Sequence, residues 1–485
     1  MKKKVGSIMR IELMKGSKPK EIEERTRIVA TSGQISQADT SLHDLYVENT
    51  DFESNAKSAG RIIGSGHTSI AEHDNLTFFI TGVTPVIEQI LIGQRLVSFT
   101  IKSRRYVDFR NAGFYTPDFS YLKNGSEVEK KYTEHMEYLF NTYSKMVELG
   151  VPKEDARFIL PYSFYSEIAM TLNARSLEKI ITYCTTGSMS NIPEVMNFGL
   201  EMLKLAKEKV PYYHKVFEKL EAKIEAGNKE KNILGFLDKY NGYKELKGTK
   251  LINIGAYYDN YPKYKIDKTI IVSYIMTNFQ KSFDEATKIY SDLTSSQKEK
   301  IMYKICVANE QRELEQVSFS FEFPITLAGL THFTRHRMHS LMIPDFLPVY
   351  DLHNQVMPSS VKELCKDLYN EAVKKNIKAY EEFKKLNVEE KDLIYFNLSG
   401  TIINVSTTMN GRELLWISRL RCCNRAQWEI REIVNDMVKQ VQKNTKLYGS
   451  YLGATCAVLG RCPEGKKTCG TPQPRVNNYL MKLGK

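Results

Sequence analysis

The chain has 485 residues, of which 42% are hydrophobic and 26% charged, and it carries a formal net charge of +12. That length exceeds one ordinary core, so two domains of about 240 residues each are expected, and the composition describes a soluble globular protein with no run of eighteen uninterrupted apolar residues to cross a membrane. The basic surplus favours anionic partners, whether nucleic acid, acidic lipid or small phosphorylated and carboxylated molecules.

Met1-Lys2-Lys3-Lys4 is basic like the start of a signal peptide, but Arg10, Glu12 and Lys15 interrupt any apolar region after it, so no secretion is expected. Eight cysteines in a large chain then read as reduced thiols in a cytoplasm. A helix is expected from Phe52 to Ile63, stopping at Gly64-Ser65-Gly66. His67 and His73 lie six apart with Glu72 between them, which is not a one-face helical spacing, and Ser69-Ile70-Ala71-Glu72 has the pattern of a capping box. Leu76 to Val83 reads as a strand and Val86 to Ile92 as an apolar helix.

Gly93 to Tyr106 reads as a basic, hydroxyl-bearing loop. Within it, Ser103 and Arg105 can aim an O–H and a guanidinium at one phosphate, although a solvated basic loop fits the stretch equally well. A long charged helix is expected from Ser126 to Leu149. After Pro152, the Glu154-Asp155 pair suits the first turn of another helix, and Arg157 beside Phe158-Ile159-Leu160 would be costly to bury without a partner. Met170 to Tyr183 reads as a helix carrying Asn173 and Arg175.

Residues 226–250, rich in Lys, Glu, Asn and Gly, are the linker candidate. Beyond them a strand (Leu251 to Ala256), a polar helical segment (Ser282 to Asn309), an alternating strand (Glu315 to Phe323) and a helix (Ile325 to Thr334) lead to Arg335-His336-Arg337-Met338. A histidine between two cations should have a depressed pKa and stay neutral, while the arginine forks suit phosphate or a polarised carbonyl. Thr408 to Leu415, with Asn410 and Arg412, mirrors Thr171 to Glu178, which points to an internal duplication with a period near 240. Cys456, Cys462 and Cys469 offer only three ligands at unusual spacing, so no metal site is assigned.

Taken together, Arg335-His336-Arg337 with Ser340, the upstream His67-Thr68-Ser69 with Glu72-His73, the Ser103-x-Arg105-Tyr106 loop and Asn410-x-Arg412-Glu413-Leu414 followed by Arg425-Ala426-Gln427-Trp428-Glu429 resemble the flavin-dependent thymidylate synthases over nearly the whole chain, taken twice. The resemblance implies an α+β fold, here as two tandem domains forming a pseudo-dimer, each with a mixed or antiparallel sheet and packed helices. The expected boundaries are 1–225 for the first repeat, 226–250 for the linker, 251–450 for the second repeat and 451–485 for a cysteine-containing tail. It further implies FAD, NADPH and methylenetetrahydrofolate acting on deoxyuridylate (dUMP), no nucleic-acid or membrane partner, and a homodimer of pseudo-dimers.

The departures from the family pattern divide between the repeats. The first has Gly93-Gln94-Arg95 in place of Arg-His-Arg and Cys184 in place of the late arginine, but keeps Ser103, Arg105 and Arg157. The second keeps Arg335-His336-Arg337 and Arg421, but has Asp345-Phe346-Leu347 and Ile394 where the other set should stand. The resemblance thus implies one composite pocket for dUMP, with Ser103, Arg105 and Arg157 on one side, Arg335, His332 and Arg421 on the other, and Arg421 as the catalytic residue. FAD is expected at Arg335, His336, Arg337, Met338, Asn410 and Arg412 with His67 and Ser69. His332 replaces the family's usual Gln, and Ile101-Lys102 replaces its acidic residue before Ser103, so a different pyrimidine nucleotide is a second reading, and a non-catalytic nucleotide- or RNA-binding relic a third.

Overall fold

The computed structural model describes residues 9–227, 246–256, 265–307, 311–346 and 349–473. Most of the expected linker, the basic start, Leu347 and the end of the segment expected to reach Asn309 lie outside those residues. The chain forms two compact units, one from residues up to 243 together with 345–401, the other from 244–344 together with 402–485.

The first unit is built on an antiparallel sheet of β1 (Arg10–Lys15), β2 (Asn75–Val83), β3 (Val97–Ile101) and β4 (Ser166–Asn173), in the order β1-β2-β4-β3. Period-two alternation explains β2: Leu76, Phe78 and Ile80 are buried while Phe79 between them is 45% exposed. The stretch read as a helix from Met170 is strand as far as Asn173. Ile168, Met170 and Leu172 face the core in alternation, and the helix begins only at Ala174–Thr186, where Asn173 Oδ1 accepts from Ser176 N at 2.8 Å. The loop expected from Gly93 likewise contains a strand, because Val97 and Ile101 are buried against β4.

The helix Gly125–Glu148 packs in this unit against Ser359–Lys385, a helix from the second half of the sequence. The seam joins a buried aromatic group of Phe119, Tyr132, Phe383 and Phe396 to a polar contact between His135 Nε2 and Asn376 Oδ1 at 2.9 Å. Each such ring contributes about 1.5–3 kcal/mol on burial, far more than the exposed Lys131–Glu382 ion pair beside them.

The second unit repeats the sheet with β5 (Lys250–Gly255), β6 (Ser318–Thr326), β7 (His339–Met342) and β8 (Ile402–Asn410), antiparallel in the order β5-β6-β8-β7. Phe319, Phe321, Phe323 and Ile325 form its inward row. The polar segment from Ser282 is two helices, Phe283–Asp292 and Ser295–Val307, and a further helix, Lys265–Phe279, precedes them. Asp267 of that helix is buried and accepts from the main-chain N–H groups of Lys446, Leu447 and Tyr448 at 2.9–3.1 Å, which fixes the later chain against it.

One clamp appears in both units. Thr84 N and Oγ1 donate to the buried Glu194 carboxylate at 2.8 and 2.7 Å, and Thr326 N and Oγ1 donate to Glu429, both at 2.6 Å. Each clamp ties the turn after a central strand to a helix start, so the same scaffold stands beneath both candidate sites.

Candidate functional site

In the first unit, β3 runs into a turn in which Val107 N donates to Ser103 O at 3.0 Å and Ser103 Oγ accepts from Arg105 N at 3.3 Å. The turn is anchored from within. Arg104 points inward and pairs with Glu88 at 2.7 Å, the two side chains being 6% and 0% exposed, with its guanidinium also over the ring of Phe164. Ser103 and Arg105 therefore flank a buried ion pair whose disruption would strand a charge in the core.

Arg105 Nε forms an ion pair with Glu154, and Arg157, only 1% exposed, donates from Nε to the main-chain oxygen of Glu154 at 2.9 Å. Glu154 thus gathers Ser103, Arg105 and Arg157 into one cluster. The sequence suggested only first-turn capping for Glu154 and Asp155; instead Glu154 takes Arg105, and Asp155 accepts from Ser360 Oγ at 2.6 Å. Two guanidinia and a hydroxyl gathered around one glutamate suit a phosphate group.

In the second unit the helix Leu327–Phe333 ends in the Arg-His-Arg turn, which places the three side chains differently. Arg335, Arg337 and Met338 are exposed, Met338 by 70%, whereas His336 is buried. Arg421, the last residue of the helix Gly411–Arg421, donates from Nε to His336 Nε2 at 2.8 Å and from Nη2 to His332 O at 3.4 Å. His336 Nδ1 lies 3.6 Å from Glu413 Oε1. Arginine Nε can only donate, so Nε2 of the imidazole must accept and the ring proton sits on Nδ1, facing the carboxylate.

Burial is the main reason that the His336 pKa is lowered, with the Arg421 cation acting in the same direction and Glu413 opposing. The lowered His336 pKa agrees with the direction expected from sequence, but the cation acting on it is Arg421, and desolvation outweighs that cation. Glu413 stood in the sequence only as part of the Asn410-x-Arg412-Glu413-Leu414 motif, with no role of its own; an acid in the first turn of a helix gives no sign of pairing with a histidine of another element.

Other expected contacts are more ordinary. Asn410 Oδ1 caps its helix through Glu413 N at 2.9 Å. Arg412 pairs with Glu315 at 2.8 Å, and the first unit has the same arrangement in Arg175 and Glu72. That pairing also replaces the capping box expected at Ser69: residues Thr68–His73 form a 3-10 turn with no side-chain cap, and Glu72 turns to Arg175. His67 and Ser69 are exposed there. Among the described residues no group of three or more His, Cys, Asp or Glu is arranged to hold a metal ion, and no helix is long and apolar enough to cross a membrane. All eight cysteines are free thiols.

The corresponding positions show what each half lacks. Where the first half has Ser103, Arg105, Glu154 and Arg157, the second has Asp345, Leu347, Lys391 and Ile394. Where the second has Arg335, His336, Glu413 and Arg421, the first has Gly93, Gln94, Ser176 and Cys184. Gln94 turns back to Ile90 O at 3.3 Å, and burial pushes the Cys184 thiol up to about 12. The supporting pair follows the same division: Glu88 and Arg104 correspond to the buried apolar Leu330 and Phe346.

A family model described as "Thymidylate synthase complementing protein" matches this chain twice, over residues 19–212 and 263–445. Among curated proteins, a flavin-dependent thymidylate synthase of Geobacter sulfurreducens is 31% identical over 153 residues, 31% of this chain and 64% of that protein. The protein of the same description from Clostridium tetani is 29% identical over 211 residues, 39% of this chain and 84% of its own length, and that from Saccharolobus solfataricus is 29% identical over 196 residues, 40% and 74%. Among solved structures, a UMP/dUMP methylase from Streptomyces cacaoi aligns with 44% of this chain and 96% of its own at 23% identity and a TM-score of 0.37.

Proposed function

Because the chain belongs to the thymidylate synthase complementing protein family, matched over both halves, we propose that it is a flavin-dependent methylase converting dUMP to thymidylate, with one complete set of nucleotide ligands per chain. The carrying observation is the co-segregation of two clusters, Ser103, Arg105 and Arg157 around Glu154 in one unit and Glu413, His336 and Arg421 in the other, each lost as a set from the opposite half.

Ser103, Arg105 and Arg157 bind the nucleotide phosphate. Arg157, buried and cationic, favours a dianionic group strongly because little water screens it. Arg335 and Arg421 complete the nucleotide set with His332, and Arg421 acts at the pyrimidine, where a planar guanidinium draws developing negative charge toward the ring edge. Neutral His336 holds the Arg421 fork through Nε2, and Glu413 keeps the imidazole proton on Nδ1. The carboxylate in the Ser103 cluster, Glu154, is engaged by Arg105, and Ser103 serves as a ligand, not a nucleophile.

The donor set fits FAD: exposed Arg335 and Arg337 offer guanidinia to a pyrophosphate, with Met338, Asn410, Arg412, His67 and Ser69 as further contacts and buried His336 behind them. When bound and reduced by NADPH, the flavin supplies hydride, and methylenetetrahydrofolate supplies the carbon. The eight free thiols suit a reducing cytoplasm, and two chains would make up the four family-type domains of a tetramer. A second reading, the same chemistry on another pyrimidine nucleotide, is favoured by His332 and by Lys102, which pairs with Glu167 at 3.1 Å where the family has an acid. The test is oxidation of the reduced flavin on adding dUMP with methylenetetrahydrofolate: turnover supports the first reading, and turnover only with another pyrimidine nucleotide supports the second.

A further inference from the structure

The chain beyond residue 445 lies outside the matched family segments, yet it returns to the helix that ends in Arg421. Gly453 N donates to Ser418 Oγ at 3.1 Å. Farther on, Gln473 Nε2 donates to Cys422 O at 2.6 Å and to Asn424 Oδ1 at 3.0 Å, while Asn424 Nδ2 donates to Thr471 O at 3.1 Å. Arg431 Nη1 closes the turn by donating to Asn424 O at 2.9 Å. The last carbonyls of a helix have no intrahelical partners. Here the carbonyl directly after Arg421 accepts from a residue 51 positions away in sequence, whose carboxamide also donates to Asn424, while Asn424 in turn donates to Thr471.

Among the described residues the first half shows no such return to its equivalent helix. Its helix ends at Thr186, Gly187 leads into the 3-10 turn Ser188–Asn191, and the position of Arg421 is Cys184. Among the described residues the returning segment accompanies the arginine-bearing helix alone. We infer that Asn424 and Gln473 are positioning residues for Arg421: their clasp fixes the C-terminal end of its helix, so that its guanidinium stays aligned with His336 and the reacting ring. This inference rests on the catalytic reading of Arg421 given above.

The test compares Asn424→Ala, Gln473→Ala and Gln473→Glu, each in the native chain and in an Arg421→Lys background, by turnover, by dUMP dissociation constant from calorimetry and by thermal midpoint. Misplacing a catalytic group by a fraction of an ångström should lower turnover about tenfold while dUMP affinity holds within about twofold. Gln473→Glu, which keeps the size but loses the N–H donors, should behave as Gln473→Ala. In the Arg421→Lys background none of them should lower turnover further, because the group they position is gone. Equal fractional losses in both backgrounds, or a lowered thermal midpoint with turnover intact, would overturn the inference. If Arg421→Lys alone leaves turnover intact, the catalytic reading falls and the clasp with it; if it lowers turnover and the clasp variants do not, the clasp alone is wrong.

Discussion

The turns at Gly93-Gln94-Arg95 and Arg335-His336-Arg337 follow equivalent strands and helices, and a Thr–Glu clamp holds the chain ahead of each. One nevertheless ends in a glutamine bonded to its own helix, the other in a buried histidine joined to an arginine and a glutamate of a second helix. The reverse holds a few residues on, where Ser103 and Arg105 meet Glu154 in the first unit and the corresponding residues of the second are acidic, apolar and basic. The comparison teaches that the scaffold is kept twice and each of the two side-chain clusters once. The helix-capping Asn173 and Asn410 are shared by both halves, and under the proposed function the nucleotide ligands are the residues present in one half alone.

The largest effect should come from contrasting Arg157 with Ile394, which occupy the same place in the two halves. Arg157→Ala removes a buried phosphate ligand worth about 1.5–3 kcal/mol, so dUMP affinity should fall by one to two decades. Ile394→Ala opens a cavity costing about 2–5 kcal/mol of stability, yet dUMP should bind the folded protein as before. Calorimetric titration of both, with melting curves, separates them; equal losses of affinity would erase the distinction between the halves.

Next is Arg421 against Cys184. Arg421→Lys keeps the charge but loses the planar fork, so turnover should fall by about a hundredfold with a smaller change in dUMP affinity. Cys184→Ser should leave turnover unchanged, and so should Cys422→Ser with Cys423→Ser, since burial pushes the Cys184 and Cys422 thiols up to about 12 and away from the thiolate a nucleophile needs. Steady-state rates decide, and a large loss in any cysteine variant would contradict the mechanism.

A smaller effect concerns pH. In the folded chain burial and Arg421 hold the His336 pKa down, whereas the unfolded chain takes up this proton near the ordinary imidazole value. Above that value His336 is neutral in both states and adds no pH dependence. As pH falls below it the unfolded state binds the proton first, so stability declines, and turnover is lost when folded His336 is finally protonated and can no longer accept from Arg421. His336→Gln, which installs the residue of the other half, should remove this histidine's part of the acid limb of the rate profile; an unaltered limb would place its origin elsewhere. The smallest effect is expected for the half-exposed pair Arg412–Glu315: Glu315→Gln should shift stability by no more than about 1 kcal/mol.

Much of this was legible in sequence because arginine, histidine and serine clusters advertise anion chemistry by residue type, and because β2 and β6 alternate cleanly. Ser103, Arg105 and Arg157, grouped by the family resemblance, meet around Glu154, whereas the contact of Arg421 with His336, which the resemblance assigned to separate ligands, was not expected. The two organising carboxylates were not legible, since a glutamate in a first helical turn looks the same whether it caps or binds a distant arginine or histidine. β4 was misread because Ala169, Met170 and Leu172 favour helix intrinsically, and only pairing with β2 and β3 overrides that preference. The placing of helix Ser359–Lys385 in the first unit depends on packing across more than two hundred residues, which no local pattern contains.

The central claim, one complete ligand set per chain, is tested most directly by counting nucleotides. Titration of the native protein with dUMP should saturate at one per 485-residue chain, and Arg105→Ala and Arg335→Ala should each abolish that same site. Two equivalent sites per chain, or single variants that each leave half of the binding intact, would contradict it.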